Sequence, residues 1–414
     1  MLKWKILLIE NGGIDVSKAA KRAIFILIIA NFIICLGMSL VIPVEPFIKN
    51  EYHLTTAQMG TMTSLYALAQ FIGSPIVGRV SDKVGRAPIL AGGLILYSVS
   101  EVMFAASNAL LLFDVSRLIG GISAAMVVPT SMAMAADLSS SEQRAKVIGL
   151  LSAAFSGGLI IGPGIGGALA KFGYKTPFWF AGALGIIAVI FFVVGLPKHI
   201  KQTGSSNAVM EEVHITEKGL KSILNGAMVA LFAMILISSF GLQGFESIYT
   251  IYVNQVFHFT LDNIAIVLII NGMISLVLQV VFFDWLVRMR GELGLIRDCF
   301  ILSSICIVWI LFAHTKIEVI IATLVVFCAF DVLRPAITTL LTRFGKNNQG
   351  LINGLNMSLT SVGNIIGPIF SGILMDINPH YPYSIVAIIL LFSAFITFVV
   401  RYEMRHTKGV KSDE

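Results

Sequence analysis

Apolar residues run along this chain in stretches long enough to cross a bilayer, each closed by a short polar or charged interval. A spanning helix needs about 20 predominantly apolar residues. Twelve segments approach or exceed that length: 22–44, 57–79, 88–107, 109–136, 145–170, 176–196, 226–255, 262–286, 296–313, 318–342, 350–375 and 382–402. None alternates apolar and polar positions as a membrane β-strand does. The pattern predicts an all-α membrane protein with twelve transmembrane helices.

Composition agrees: 57% of the residues are hydrophobic, 13% are charged, and the mean hydropathy is +0.88. About a quarter of a soluble domain is charged. The placement of charge adds orientation. Of 29 lysines and arginines, 23 fall in the termini, the even-to-odd loops and the 197–225 connection. Lys49, Lys171, Lys175 and Lys316 lie on the other side, and Arg117 and Arg334 lie inside spans. Basic loops stay in the cytoplasm, so both termini of a multi-pass membrane protein are expected there. The basic residues form no clustered face of the kind nucleic acid requires.

Residues 1–21 carry lysines and a brief apolar run without a small-residue cleavage site, and are read as a cytoplasmic arm in contact with membrane lipids. The cysteines Cys35, Cys299, Cys306 and Cys328 fall in spans without CxxC spacing, so neither a metal site nor a disulfide is expected.

The longest polar connection divides the spans six and six. The domains expected are the arm 1–21, a first bundle 22–196, a linker 197–225, a second bundle 226–402 and a tail 403–414. The bundles echo each other. Gly149 and Gly354, Gly162-Pro163 and Gly367-Pro368, and Gly167 and Gly372 are each offset by 205 residues. Such a repeat is the plan of secondary transporters, whose halves enclose a site near the membrane midplane.

Several spans carry charge. A charge at a helix centre costs roughly 2.5–3.5 kcal/mol on insertion scales and usually faces the protein interior. Asp331 and Arg334 are three apart in span ten, which allows a local ion pair. Glu246 in span seven has no basic residue within a helical turn, which favours a shared site with Asp331 and Arg334. Desolvation penalises an ionised carboxyl and a nearby arginine favours it. Such a cluster can release a proton on one side of the membrane and regain it on the other. Phe240, Phe245, Tyr249, Tyr252, Phe327 and Phe330 surround these acids in sequence, either as packing or as faces for flat cationic guests. Asp114 and Arg117 in span four share a helical face and suit another local pair, while Glu101 and Glu45 are placed nearer the membrane interface.

The loop "GRVSDKVGRAP" resembles the signature loop of the major facilitator superfamily, matching at Gly78, Asp82, Gly85 and Arg86, with Ala87 in place of a usual basic residue. A solvated turn would explain its charges; the resemblance implies a conformational latch. "SGGLIIGPGIGG" in span five, with Gly158, Gly162, Pro163, Gly166 and Gly167, is explicable as a kinked packing face. It also resembles the antiporter motif of drug–proton exporters. With "SRLIGGISAAMVVP", "SFGLQGFESIY", "FDVLRPAI" and "SVGNIIGP", the chain from about 24 to 400 looks like the NorA-type multidrug efflux pumps of Gram-positive bacteria. That resemblance implies the major facilitator fold and drug–proton antiport. It implies proton coupling through Glu246 and Asp331, a proton relay through Arg117, and cavity-lining roles for Gln70, Arg334 and Asn364. Cys35 stands where these pumps commonly have a bulkier aromatic.

No GxxxxGK[ST] loop is present, so a proton gradient rather than ATP is the expected energy source, with no cofactor. No catalytic constellation marks an enzyme. The expected function is proton-coupled efflux of hydrophobic, cationic or zwitterionic compounds by a monomer. A proton-coupled carrier of one metabolite, such as a sugar, would use Gln243, Asn254, Asn271 and Gln279. A non-transporting sensor or scaffold would leave the midplane acids without a role.

Overall fold

The computed structural model describes residues 18–140, 142–196, 226–344 and 349–409. The expected linker 197–225 and all but the last four residues of the expected arm lie outside this set. Among the described residues every regular element is helical. The first half comprises α1 (Lys18–Leu40), a 3-10 turn (Ile42–Val44), short α2 (Glu45–Glu51), α3 (Thr56–Val84), α4 (Arg86–Ala106), α5 (Leu110–Asp137), α6 (Arg144–Ala170) and α7 (Thr176–Gly195). The second comprises α8 (Gly226–Phe257), α9 (Leu261–Val277), a π turn (Leu278–Phe282), α10 (Phe283–Arg290), α11 (Glu292–Phe312), α12 (Lys316–Phe344), α13 (Gln349–Ile377) and α14 (Tyr381–Gly409). Ten spans among these residues are long and apolar enough to cross a membrane. The helices α3 and α12, 29 residues each, complete the set.

The helices overrun both outer domain limits expected from the sequence. Helix α1 begins at Lys18, inside the expected arm, and α14 continues to Gly409, through most of the expected tail. Helices need not stop where hydropathy does, because a polar turn beyond the hydrocarbon keeps its backbone hydrogen bonds.

The internal repeat is visible in packing. In α6, a Cβ at Gly158 would lie 2.7 Å from the Leu36 nitrogen and Phe32 oxygen of α1, and one at Gly166 would overlap the Leu40 carbonyl. These positions, together with Gly162, recur every four residues, so one face of α6 lies flat on the α1 backbone. Ser39 of α1 donates to the Gly158 carbonyl across this seam at 3.1 Å. In the second half, Gly363 and Gly367 of α13 bear the same relation to Ser239, Phe240 and Gly244 of α8. The repeated Gly167 and Gly372 both reach the opposite half, against Leu261 and Ala265 of α9 and against Thr56 and Ala57 of α3. Helices α3 and α9 also begin alike, each with a capping box: Thr55 with Gln58, and Thr260 with Asn263. Each terminates its span on a positive-φ glycine, Gly85 at +105° and Gly291 at +68°, so the repeat includes a turn that the sequence of the second loop obscures.

Polar contacts join the halves toward the end remote from the chain termini. Thr56 and Ala57 donate backbone N–H groups to Asp376 at 2.7 and 2.8 Å. Lys171 pairs with Asp262 at 3.0 Å, Asn50 bonds Asn254 at 3.4 Å, and Ser64 donates to the Ile365 carbonyl at 2.6 Å. At the terminal end, a Cβ at Gly149 of α6 or Gly354 of α13 would meet no neighbouring atom within 4 Å among the described residues. The halves are pinned at the remote end, and these two glycines leave open space at the terminal end.

Candidate substrate and proton site

Helix α8 sorts its residues by face. Phe245, Ile248, Tyr249 and Tyr252 are buried, whereas Glu246 is exposed in mid-helix. One turn on, Thr250 donates to Glu45 of the first half at 3.4 Å, so the face bearing Glu246 looks across the junction. Glu246 lies within electrostatic reach of Asp331 and Arg334 of α12, and of Glu45. The three groups singled out in spans seven and ten therefore do converge, and the fourth member is an acid from the opposite half.

Asp331 is half-buried and lies close to Ser275 of α9. Gln279, within the π turn that follows α9, donates to the Ser275 hydroxyl at 3.0 Å. No ion pair joins Asp331 to Arg334 among the described residues; Arg334 is an exposed charge within electrostatic reach of both acids. The local-pair reading gives way because Asp331 turns toward α9. Single π turns are frequent at functional sites, and this one stands near the acid on a third helix.

Across the junction, Arg117 of α5 pairs with Glu101 of α4 at 3.3 Å and lies 4.7 Å from the Phe104 ring centroid. It reaches Glu45 electrostatically. The expected Asp114–Arg117 pair is not formed. Glu101 is buried inside the bundle, and packing of α5 against α4 brings it closer to the guanidinium than Asp114 comes. A charged path thus runs from Glu101 through Arg117 and Glu45 to Glu246, Arg334 and Asp331.

Other predicted site residues sort differently. Gln70 and Asn364 are half-buried, and Phe240 is half-buried beside Phe370 at 5.4 Å between centroids. Phe245, Tyr249 and Phe327 do not line the junction in this structure. They pack on one another and on Tyr383, with Phe245 and Tyr383 4.9 Å apart, inside the second half. They stand on faces of α8 and α12 turned away from the acids. Cys35 is buried in the α1–α6 seam beside Gly158, so it lines no open space here.

In the signature loop, Arg86 binds Asp82 at 2.7 Å, donates to Ser81 at 2.7 Å and reaches Asp137, the last residue of α5, at 3.4 Å. Ser81 donates in turn to the Gly78 carbonyl. These contacts stay within the first half, and Asp82 is 51% exposed. Of the residues around Pro163, Gly158, Gly162 and Gly166 bed on α1, and Gly167 crosses to α9. Sequence reasoning undervalued Glu45. Its signal was an acid between Pro43 and Pro46, where span one breaks into a 3-10 turn.

The family profile of the Major Facilitator Superfamily matches residues 27–346 and 299–414. Multidrug resistance protein 1 of Bacillus subtilis (strain 168) is 39% identical over 366 residues, covering 88% of this chain and 93% of that protein. Quinolone resistance protein NorA of Staphylococcus aureus (strain COL) is 37% identical over 361 residues, covering 87% and 92%. The crystal structure of nucleoside transporter NupG superposes with a TM-score of 0.77 at 14% identity, covering 92% of this chain and 99% of that one. The human organic anion transporter MFSD10 gives 0.64 at 18%, covering 92% and 100%; these two likenesses concern the fold alone. With two six-helix halves, a central charged junction and a profile match along most of its length, the chain belongs to the major facilitator superfamily.

Proposed function

We propose that this protein is a proton-coupled multidrug exporter of a bacterial cytoplasmic membrane, acting on hydrophobic cationic or zwitterionic compounds by alternating access. The names of its relatives, multidrug and quinolone resistance proteins, support the substrate class. The observation that carries the mechanism is Glu246: an exposed carboxyl in mid-span, facing the opposite half and grouped with Asp331, Arg334 and Glu45.

The loop charges favour cytoplasmic termini, so the open end faces the cytoplasm. There the deprotonated acids accept a cationic compound, with Arg334 limiting their combined charge. When the halves rock and the outer end opens, protons arriving from outside neutralise the carboxylates and release the compound. The neutral carrier then returns. One chain supplies both walls of the junction, so a monomer suffices. Gly78, Asp82, Gly85 and Arg86 latch the inner end when it closes. The α1–α6 glycine seam lets the first half move as one body.

Everted membrane vesicles with a fluorescent lipophilic cation test this reading. Dye uptake should follow the proton gradient, persist in Arg288→Gln and vanish in Glu246→Gln and Asp331→Asn. Full gradient-driven uptake in both neutral variants would remove these acids from coupling.

A further inference from the structure

A second opening, of about 750 Å³, lies at the terminal end of the second half. The Met289–Gly294 turn between α10 and α11 forms one wall. Leu340 of α12 and Thr397, Phe398 and Arg401 of α14 form the other. Three arginines line it: Arg290, Arg297 and Arg401. Asp298 binds Arg297 at 2.9 Å and Arg290 at 3.6 Å, and Glu292 is buried in the pocket wall. Among the described residues, three guanidiniums against two carboxylates leave one positive charge. Arg401 has no ion-pair partner among the described residues.

The surroundings indicate what would neutralise that charge. Met289 and Phe398 are each more than half exposed on the outer surface of the bundle. Trp285, one helical turn before Met289, is also exposed. Tryptophan concentrates at the headgroup level of a membrane, which places the arginines beside lipid phosphates and the apolar rim beside acyl chains. A phosphodiester bears a single negative charge, matching the excess. Arginine's planar fork grips phosphate oxygens in pairs, and basic pockets between cytoplasmic helix ends take anionic headgroups.

We propose that this pocket binds the phosphodiester headgroup of an anionic membrane phospholipid. Arg290 and Arg401 hold the phosphate, Arg297 is steadied by Asp298 and the Phe398 ring, and the acyl chains pass over Met289 and Phe398. The site is separate from the central junction and does not depend on what the junction transports.

Delipidated full-length protein, titrated with phosphatidylglycerol or phosphatidylcholine and followed by native mass spectrometry, tests the assignment. Phosphatidylglycerol should bind at least about fivefold more tightly than phosphatidylcholine, and Arg401→Gln and Arg290→Gln should each erase about that factor. Arg288→Gln, on the same short helix but outside the pocket, should leave the preference intact. Arg401 is exposed on α14, so its variant decides the matter if Arg290→Gln lowers the melting temperature. Equal binding of the two lipids, or an unchanged preference in Arg401→Gln, overturns the site. Displacement of the lipid by equimolar glycerol phosphate assigns the pocket to soluble phosphate and overturns the lipid reading.

Discussion

Asp376, at the remote end of α13, accepts the backbone N–H of Thr56 at 2.7 Å and so caps a helix belonging to the other half. Its second oxygen takes the N–H of Ala57 at 2.8 Å. At the repeat-related junction, Lys171 at the end of α6 pairs with Asp262 in the first turn of α9. The same geometric task is met by a carboxylate on helix N–H groups at one junction and by an ion pair at the other. Both contacts must separate whenever the remote end opens.

Replacing Asp376 by alanine therefore destabilises the closed remote end specifically. An exposed anion at a helix N-terminus is worth about 0.3–1 kcal/mol, a shift of up to roughly fivefold in the ratio of conformers. Spin labels at positions 53 and 379 should report a larger long-distance population in Asp376→Ala. An unchanged distance distribution would show that the close packing of Gly60 on the Pro368 backbone and of Gly372 on Thr56 holds this end by itself.

The α1–α6 seam predicts a contrast within one helix. A methyl at Gly166 would collide with the Leu40 carbonyl, a backbone atom without a rotamer to change. Overpacking of that kind commonly costs about 1–3 kcal/mol, and Gly166→Ala belongs at or above the upper limit. At Gly157 the nearest atom would be 3.6 Å away, on the Phe32 ring. Gly157→Ala should be neutral or gain a few tenths of a kcal/mol from helix propensity. Thermal melts of the purified variants check the order; equal melting temperatures would contradict the seam.

The fold was legible because each feature that reveals it is local in sequence: apolar runs, loop charge and a repeat of Gly and Pro at one offset. The repeat survives because Gly162 and Gly367 meet neighbouring helix backbones too closely for a side chain. The site was half legible. Glu246 and Asp331 stood out as charges in apolar helices, but their surroundings depend on helix rotation. Phe245 is next to Glu246 in sequence, yet successive residues in a helix point about 100° apart, so it faces the core. The better guide was the four-residue step from Glu246 to Thr250. Arg117 found Glu101 rather than Asp114 because side-by-side packing of α4 and α5, invisible in either helix alone, sets that distance.

That buried pair supports a double-mutant cycle. Both side chains are largely shielded, 14% and 5% exposed. Removing one member of such a pair typically costs about 3–5 kcal/mol because the other charge is stranded. Glu101→Gln should lower the melting temperature sharply, and Arg117→Met likewise. The double variant should recover much of the loss. Additive losses would mean that Arg117 draws its main compensation from Glu45 and the Phe104 ring instead.

Gly149 and Gly354 present the opposite case to Gly166. They occupy matched positions near the terminal ends of α6 and α13, and a Cβ at either would touch nothing within 4 Å among the described residues. Glycine inside a helix is about 0.5–1 kcal/mol worse than alanine, and the present packing offers no return for it. A conformer in which the terminal ends close would bring both positions against neighbouring helices, as Gly167 and Gly372 already are at the remote end. Gly149→Leu and Gly354→Leu are therefore expected to leave the terminally open state folded, with melting temperatures unchanged or raised, while blocking closure. Spin-label distances across the terminal ends should lose their short component, and dye transport in vesicles should fall at least tenfold. Transport at the unsubstituted rate in the double variant would show that the terminal ends close on other residues.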